Sequence, residues 1–541
     1  MERRTFLKRS LGIGTWMLAA GPASLTGCFA ARRDAGRLAA ERRLPIPELL
    51  DAHDGRAVEL TMQAGRWEIL PGVESLTWGF NGPCLGPTVR MRRGQDVPFH
   101  YANELPEPIA VHGHGLHVPG EVDGGPQQII VPGGSWSPTL PIRQQACTSW
   151  YHPHTHGRTG LQVNQGLAGL LIIDDDNSDA LPLPKTYGVD DLPLIVQDRT
   201  VDPSGGLVYS LEDADEEDGF LGETVTVNGI ASPFVEVPQG LVRLRVLNGS
   251  NARFYRFHFQ DGRAFHKIAT DGGFLESPVE LTEMIMTPGE RNEIVVDFSN
   301  GQPAMLLSGP GDSGRREEDE NRRERGDRRE GRGERRGRED RRGDRGGGRR
   351  SGGGGRGLYG GGLRDSFRIL ELRVNPQLAA SRAELPSRMN TIERPATSPG
   401  APDRTFVLNM PDGRRGRDRA AAHDHQGHTA MKMGINGRAM DMNRIDEHVR
   451  LGRWECWRVE NEDGHHPFHV HGCSFLILSQ EGRPVAAADA GWKDTVSVSD
   501  SAEFLVRFDH EATEKHPYMY HCHILEHEDM GMMGQFTVTE S

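Results

Sequence analysis

The stretch His521-Cys522-His523-Ile524-Leu525-Glu526-His527-Glu528-Asp529-Met530-Gly531-Met532 decides how this chain is read. In an extended strand, neighbouring side chains point to opposite faces and residues two apart share one. His521 and His523 therefore look one way and the Cys522 sulfur the other, so a single tripeptide can join two metal sites through covalent bonds. The same spacing recurs in His112-Gly113-His114, in His152-Pro153-His154 and in His466-Pro467-Phe468-His469-Val470-His471. One such pair on a strand is an ordinary surface or core feature. Four of them, two toward each end of a long chain, point to a shared metal cluster. Two histidines and a cysteine with a weak axial methionine form the blue-copper electron-transfer geometry, and His466, Cys522, His527 and Met532 supply that set. Taken singly, Cys522 reads as a buried apolar thiol and Met532 as core filler, but their spacing beside the histidines argues otherwise. A tetrahedral zinc ion would leave most of these imidazoles unused.

Around the motifs the chain alternates apolar and polar residues between turn residues, the pattern of half-buried antiparallel strands. Val242, Leu244 and Val246 alternate with Arg243 and Arg245. Leu370, Leu372 and Val374 flank Glu371 and Arg373, and Phe504, Val506 and Phe508 flank Leu505 and Arg507. Long helical periodicity is hard to find, and 68 Gly with 34 Pro suit turn-rich β domains. The expected fold class is all-β, as sandwiches or barrels, in about three or four domains of ordinary size. Loose boundaries enclose residues 51–176, 185–376 and 395–541. Residues 311–362 are dominated by Arg, Glu, Asp and Gly; such a run cannot offset the entropy of ordering it and reads as a disordered, solvated insertion. A net charge of -14 argues against nucleic-acid binding, which needs a basic footprint, and suits cationic substrates.

Arg3-Arg4-Thr5-Phe6-Leu7-Lys8 resembles a twin-arginine export signal. The apolar run after it, Leu11 to Leu25, is shorter than the ~20 residues needed to span a bilayer. Residues 1–28 are thus expected to be an export signal and 29–50 a linker, placing the protein in the periplasm or cell envelope. Leu25-Thr26-Gly27-Cys28 also fits a lipobox, in which a lipid on Cys28 would hold the protein at a membrane; the competing reading is an ordinary signal peptide with an incidental cysteine. With Cys28 lipidated and Cys522 on metal, Cys84, Cys147, Cys456 and Cys473 remain, and the sequence does not choose among their three pairings.

VHGHGLHVPGEVDGGPQ from Val111, SWYHPHTHGRTG from Ser149, HPFHVHG from His466 and HCHILEHEDMGMM from His521 together resemble the bacterial three-domain multicopper oxidases, nearest to periplasmic cuprous oxidases and bacterial laccases. The likeness runs from Leu60 to Thr539, interrupted by the charged insertion. It implies three cupredoxin-like Greek-key β-sandwich domains and four copper ions, one type 1, one type 2 and two type 3, with no organic cofactor. It further implies that His112 and His469 hold the type 2 copper and that His114, His152, His154, His471, His521 and His523 hold the type 3 pair. The implied activity takes single electrons from phenols, aromatic amines or Cu(I) at the type 1 copper and passes them to O2, which is reduced to water. Asp123 and Glu528 match acids that assist proton supply in similar enzymes; the plain alternatives are a turn residue in Asp-Gly-Gly and a solvated charge. His117, His156 and His465 sit beside the motifs without being assigned to metal. A monomer is expected.

Two departures stand out. Gly113 takes a place where the family often has Trp, which would open space beside the cluster. Glu462-Asp463-Gly464-His465 carries no methionine, so the thioether donors that favour Cu(I) are missing there. A His/Met-rich segment within 410–442, with Met410, His423, His425, His428, Met431, Met433, Met440 and Met442, reads either as a collector of copper ions serving copper homeostasis or as a flexible loop of biased composition. Against the oxidase stands a non-catalytic copper-binding or cell-envelope scaffold with the cupredoxin fold; the complete ligand set favours the oxidase.

Overall fold

The computed structural model describes residues 42–211, 218–310, 362–363, 365–381, 383–395, 401–409, 433–461 and 464–540. The expected export signal with Cys28, most of the linker, nearly all of the charged insertion, Met410, His423, His425, His428, Met431, and the pair Glu462-Asp463 lie outside the described residues.

Alternating apolar residues give each strand one face to bury, and two such faces closed on each other make a sandwich. Three β-sandwiches follow along the chain. In the first, one sheet runs in the order Leu49–Asp51, Thr88–Arg92, Gly169–Asp174, Cys147–Pro153, Val111–His114. Its partner is built on Val73–Phe80, Val58–Leu70 and Asp96–Asn103. Leu60 and Met62 of the second sheet share one core with Met91, Leu171 and Ile173 of the first. The middle sandwich packs Val242, Leu244 and Val246 with Phe257, Leu306 and Leu370. In the third, Trp457 and Phe504 of one sheet meet Phe468, Tyr520 and Phe536 of the other. The sheets are mixed where the sequence pattern predicts antiparallel pairing. Leu49–Asp51 lies parallel to Thr88–Arg92, Asp191–Val201 to Leu241–Asn248, and Arg404–Asn409 to Glu455–Asn461. Crossover connections bring strands distant in sequence side by side, and such neighbours need not reverse direction.

The strand Leu241–Asn248 departs from the half-buried pattern, because Arg243 and Arg245 are buried as well. Their face of the sheet is covered by the first sandwich. Arg245 grips both Asp191 oxygens at 2.7 and 2.9 Å and donates to Glu293 and to Thr148 of the first sandwich. A charged face is tolerated inside the molecule because every charge meets an opposite one. Cys84, Cys147, Cys456, Cys473 and Cys522 are all free thiols, so none of the three pairings is formed. Helices are short, and among the described residues none is long and apolar enough to cross a membrane.

Candidate metal centre

Strand register assembles the histidines. Val111–His114 pairs antiparallel with Cys147–Pro153 so that His112 lies opposite His152, and the ladder continues as His154 N–H donates to the Ala110 carbonyl. In the third sandwich His466–Val470 pairs with Tyr518–Cys522, with His469 opposite His521 and Phe468 opposite Cys522. The His471 and His523 amides extend that ladder by donating to the Met519 and Pro467 carbonyls. Each antiparallel strand pair thus presents two i, i+2 pairs on one face. The two faces meet across the seam between the sandwiches, where His112 stacks on His471 at 3.8 Å between centroids and His114 on His469 at 3.7 Å. Ligand atoms fall into close groups: His112 with His469 and His471, His114 with His152 and His523, and His154 with His471 and His521, each within 4.8 Å.

The polar bookkeeping of these rings has a common form. The Nδ1 atoms of His112, His152 and His469 lie 2.8–2.9 Å from the carbonyls of Asp123, Pro153 and Asp494 and so carry their protons. Their Nε2 atoms are buried without any hydrogen-bond partner. His154 and His471 each bring Nε2 to 3.3 and 3.2 Å from Nε2 of His521. Unprotonated nitrogens converging in a dry site repel unless a cation lies among them, so this donor set fits metal ions. Burial, reinforced by neighbouring imidazoles, pushes His152, His154, His471 and His521 well below the usual imidazole range, and burial pushes His523 down to about 3. The rings are therefore held neutral, the form that binds metal.

Cys522 faces away from this cluster. Its Sγ lies 3.4 Å from His466 Nδ1 and 3.6 Å from His527 Nδ1, and these two nitrogens are 3.1 Å apart. Met532 is fully buried in the same core as Cys522, and its carbonyl accepts the Cys522 N–H. Burial raises the Cys522 thiol far above its ordinary value, so a thiolate here needs a bound cation to offset desolvation.

Asp123 is buried with Oδ2 2.8 Å from His471 Nδ1 and 3.4 Å from His112 Nδ1. The turn reading of Asp-Gly-Gly also holds, since Gly124 has φ +81° and a side chain there would collide with the Val111 carbonyl. Glu528 is fully buried and not a solvated charge. It accepts from Thr159 Oγ1 at 2.7 Å and approaches His154 and His521 at 3.4 and 3.3 Å. His117 binds Ser474, His465 meets Ser497 and Phe254, and His156 is exposed, so the decoys stay outside the cluster. The space expected beside Gly113 is filled: a Cβ there would lie 2.6 Å from Leu116 Cδ1. Sequence reasoning missed Asp494, 3.1 Å from His114 Nε2 and 3.6 Å from His469 Nδ1, and Trp150, stacked on His152 at 4.0 Å. It also missed Glu526, whose buried carboxylate accepts from Tyr209, Asn251 and the Phe220 amide of the middle sandwich. Trp150 and Glu526 lie inside the motifs SWYHPHTHGRTG and HCHILEHEDMGMM, whereas Asp494 has no local signal beyond a charge in a strand-like stretch, shared by many others.

Multicopper oxidase family profiles match residues 61–178 and 411–541. The chain is 38% identical to the cell division protein FtsP of Dickeya dadantii (strain 3937), covering 100% of this chain and 99% of that one. It is 36% identical to the cell division protein FtsP of Escherichia coli (strain K12), covering 99% of both. Among solved structures, the laccase-like multi-copper oxidase CueO from Ochrobactrum sp. superposes with a TM-score of 0.74 at 35% identity, over 92% of this chain and all of that one. McoA from Aquifex aeolicus does so at 0.73 and 29%, over 92% of this chain and 99% of that one. The end-to-end relatives named for cell division overturn the expectation of an O2-reducing enzyme acting on phenols, amines or Cu(I). A filled ligand set specifies what a fold can bind, and function is not read from it. The chain belongs to the multicopper oxidase family, carries that family's fold with histidine clusters fit for metal, and within the family is similar over its whole length to proteins named cell division protein FtsP.

Proposed function

We propose that this protein serves cell division as a copper-binding scaffold of the cell envelope, without turnover. The observation that carries the reading is identity of 36–38% over nearly the whole chain with proteins named for division. The orphaned, inward-facing nitrogens of His112, His152 and His469 support metal as a resident part of the scaffold.

The proposed load is four copper ions. His112 and His469 would hold one, and His114, His152, His154, His471, His521 and His523 a pair. His466, Cys522, His527 and Met532 would hold the fourth, where copper supplies a one-electron redox centre. Asp123 and Glu528 are positioning groups in this reading, fixing the rings of His471, His112, His154 and His521. Arg3-Arg4 would direct export, with Cys28 as a candidate lipid anchor.

Deletion of the gene should give filamentous or chained cells, and the full-length protein should restore septation. The purified copper-loaded protein should take up no O2 with a phenol, an aromatic diamine or Cu(I). Normal division in the deletion strain, or sustained O2 uptake, would overturn the reading.

A further inference from the structure

The turn Thr287-Pro288-Gly289-Glu290-Arg291 belongs to the middle sandwich, which contributes none of the clustered histidines, yet it reaches them twice, once by direct packing and once through Asp494. Gly289 has φ +85°, and a Cβ on it would lie 2.8 Å from His523 Cδ2, so the bare backbone packs on the imidazole. Two residues on, Arg291 is 1% exposed and uses all five of its N–H donors. Nη1 and Nη2 bind the two Asp494 oxygens at 2.8 and 2.5 Å. The remaining donors go to the carbonyls of Thr148 in the first sandwich and of Gly289 and Asp271 in its own. Asp494, on the third sandwich, in turn faces His114 of the first and His469 of the third. A bidentate pair fixes both position and plane. One guanidinium therefore ties three sandwiches together directly behind two stacked imidazoles.

The geometry points to Arg291, acting through Asp494, as a positioning residue for the histidine cluster that couples copper occupancy to the order of the middle sandwich. An ion that pins His114 and His469 also pins Asp494, and Asp494 cannot shift without breaking the bidentate pair of a buried guanidinium, whose other carboxylate neighbour, Asp271, lies 3.8 Å away. This inference rests on the copper-binding reading above.

Hydrogen exchange on copper-stripped and copper-reloaded full-length protein tests it. Copper should slow exchange in residues 287–297 as well as in the histidine-bearing strands. In Arg291→Lys, which keeps the charge but loses the planar fork, affinity at the histidine cluster should fall about 10–100-fold. The visible absorbance of the copper–thiolate site at Cys522 should remain, and the added protection of 287–297 should vanish. Copper uptake with protection confined to the histidine-bearing strands would overturn the coupling while leaving copper binding intact. A protein that takes up no copper would remove both. Should Arg291→Lys not fold, the comparison on the unaltered protein decides alone.

Discussion

At Gly115 the backbone holds φ at +80°, and a methyl group there would sit 2.5 Å from both Arg291 Nη2 and Asp494 Oδ2. Glycine meets two demands at once, a left-handed conformation and room for a buried ion pair. Gly115→Ala should therefore lower stability by on the order of 1–3 kcal/mol from backbone strain alone, with a further loss from displacing the pair, read as a drop in the denaturant midpoint. Single residues were unevenly legible. His112, His114, His152, His154, His469, His471, His521 and His523 declared themselves by i, i+2 spacing, a local property. Asp494 did not, because it lies 380 residues from His114 and becomes its neighbour only when the sandwiches dock. Leu116 in the place left by Gly113 is a packing solution of the same kind, set by three-dimensional fit.

At the scale of elements, antiparallel strand register does most of the assembly. Once Val111–His114 pairs with Cys147–Pro153, four rings share a face with no special loop required. Alternation marked the strands correctly but hid their outer surroundings, and Arg243 and Arg245 looked solvent-facing because a buried, paired arginine has the same letter as an exposed one. The end of the strand Gly169–Asp174 makes a measurable case. Burial alone would raise the Asp174 carboxyl, but hydrogen bonds from His53 at 2.8 Å and from Arg90 outweigh it and hold the group well below the usual carboxylate range. Because the folded value is depressed, this stabilisation is complete above the unfolded carboxylate range, near pH 4, and fades as pH falls toward the folded value. Asp174→Asn should be less stable than the parent at neutral pH, and the difference should shrink in acid, by chemical denaturation at several pH values. A difference that stayed constant with pH would exclude the linkage.

For the whole molecule, interior charge joins the sandwiches together with apolar contacts such as Trp150 and Leu170 against Ile195 and Leu247. Arg245, 2% exposed, faces Asp191 and Glu293 and reaches Thr148 across the boundary. Arg245→Met would strand the buried Asp191 carboxylate, while Glu293 keeps Arg243, and should cost about 3–5 kcal/mol, with calorimetry resolving separate melting of the middle sandwich in place of a shared transition. Function was the least legible level. The ligand set is a property of the fold's interior, whereas the proposed use in division would lie on surfaces for which no spacing rule exists.

The stacked imidazoles at the seam carry one more consequence. Half of the cage comes from residues 112–154 and half from residues 469–523, so the cage closes only once a ribosome has passed the codon for His523. A truncated or proteolysed product stopping short of His521 would keep His112 and His469 but lose His521, Cys522 and His523, so the full proposed metal load would report that both halves of the seam had been made and docked.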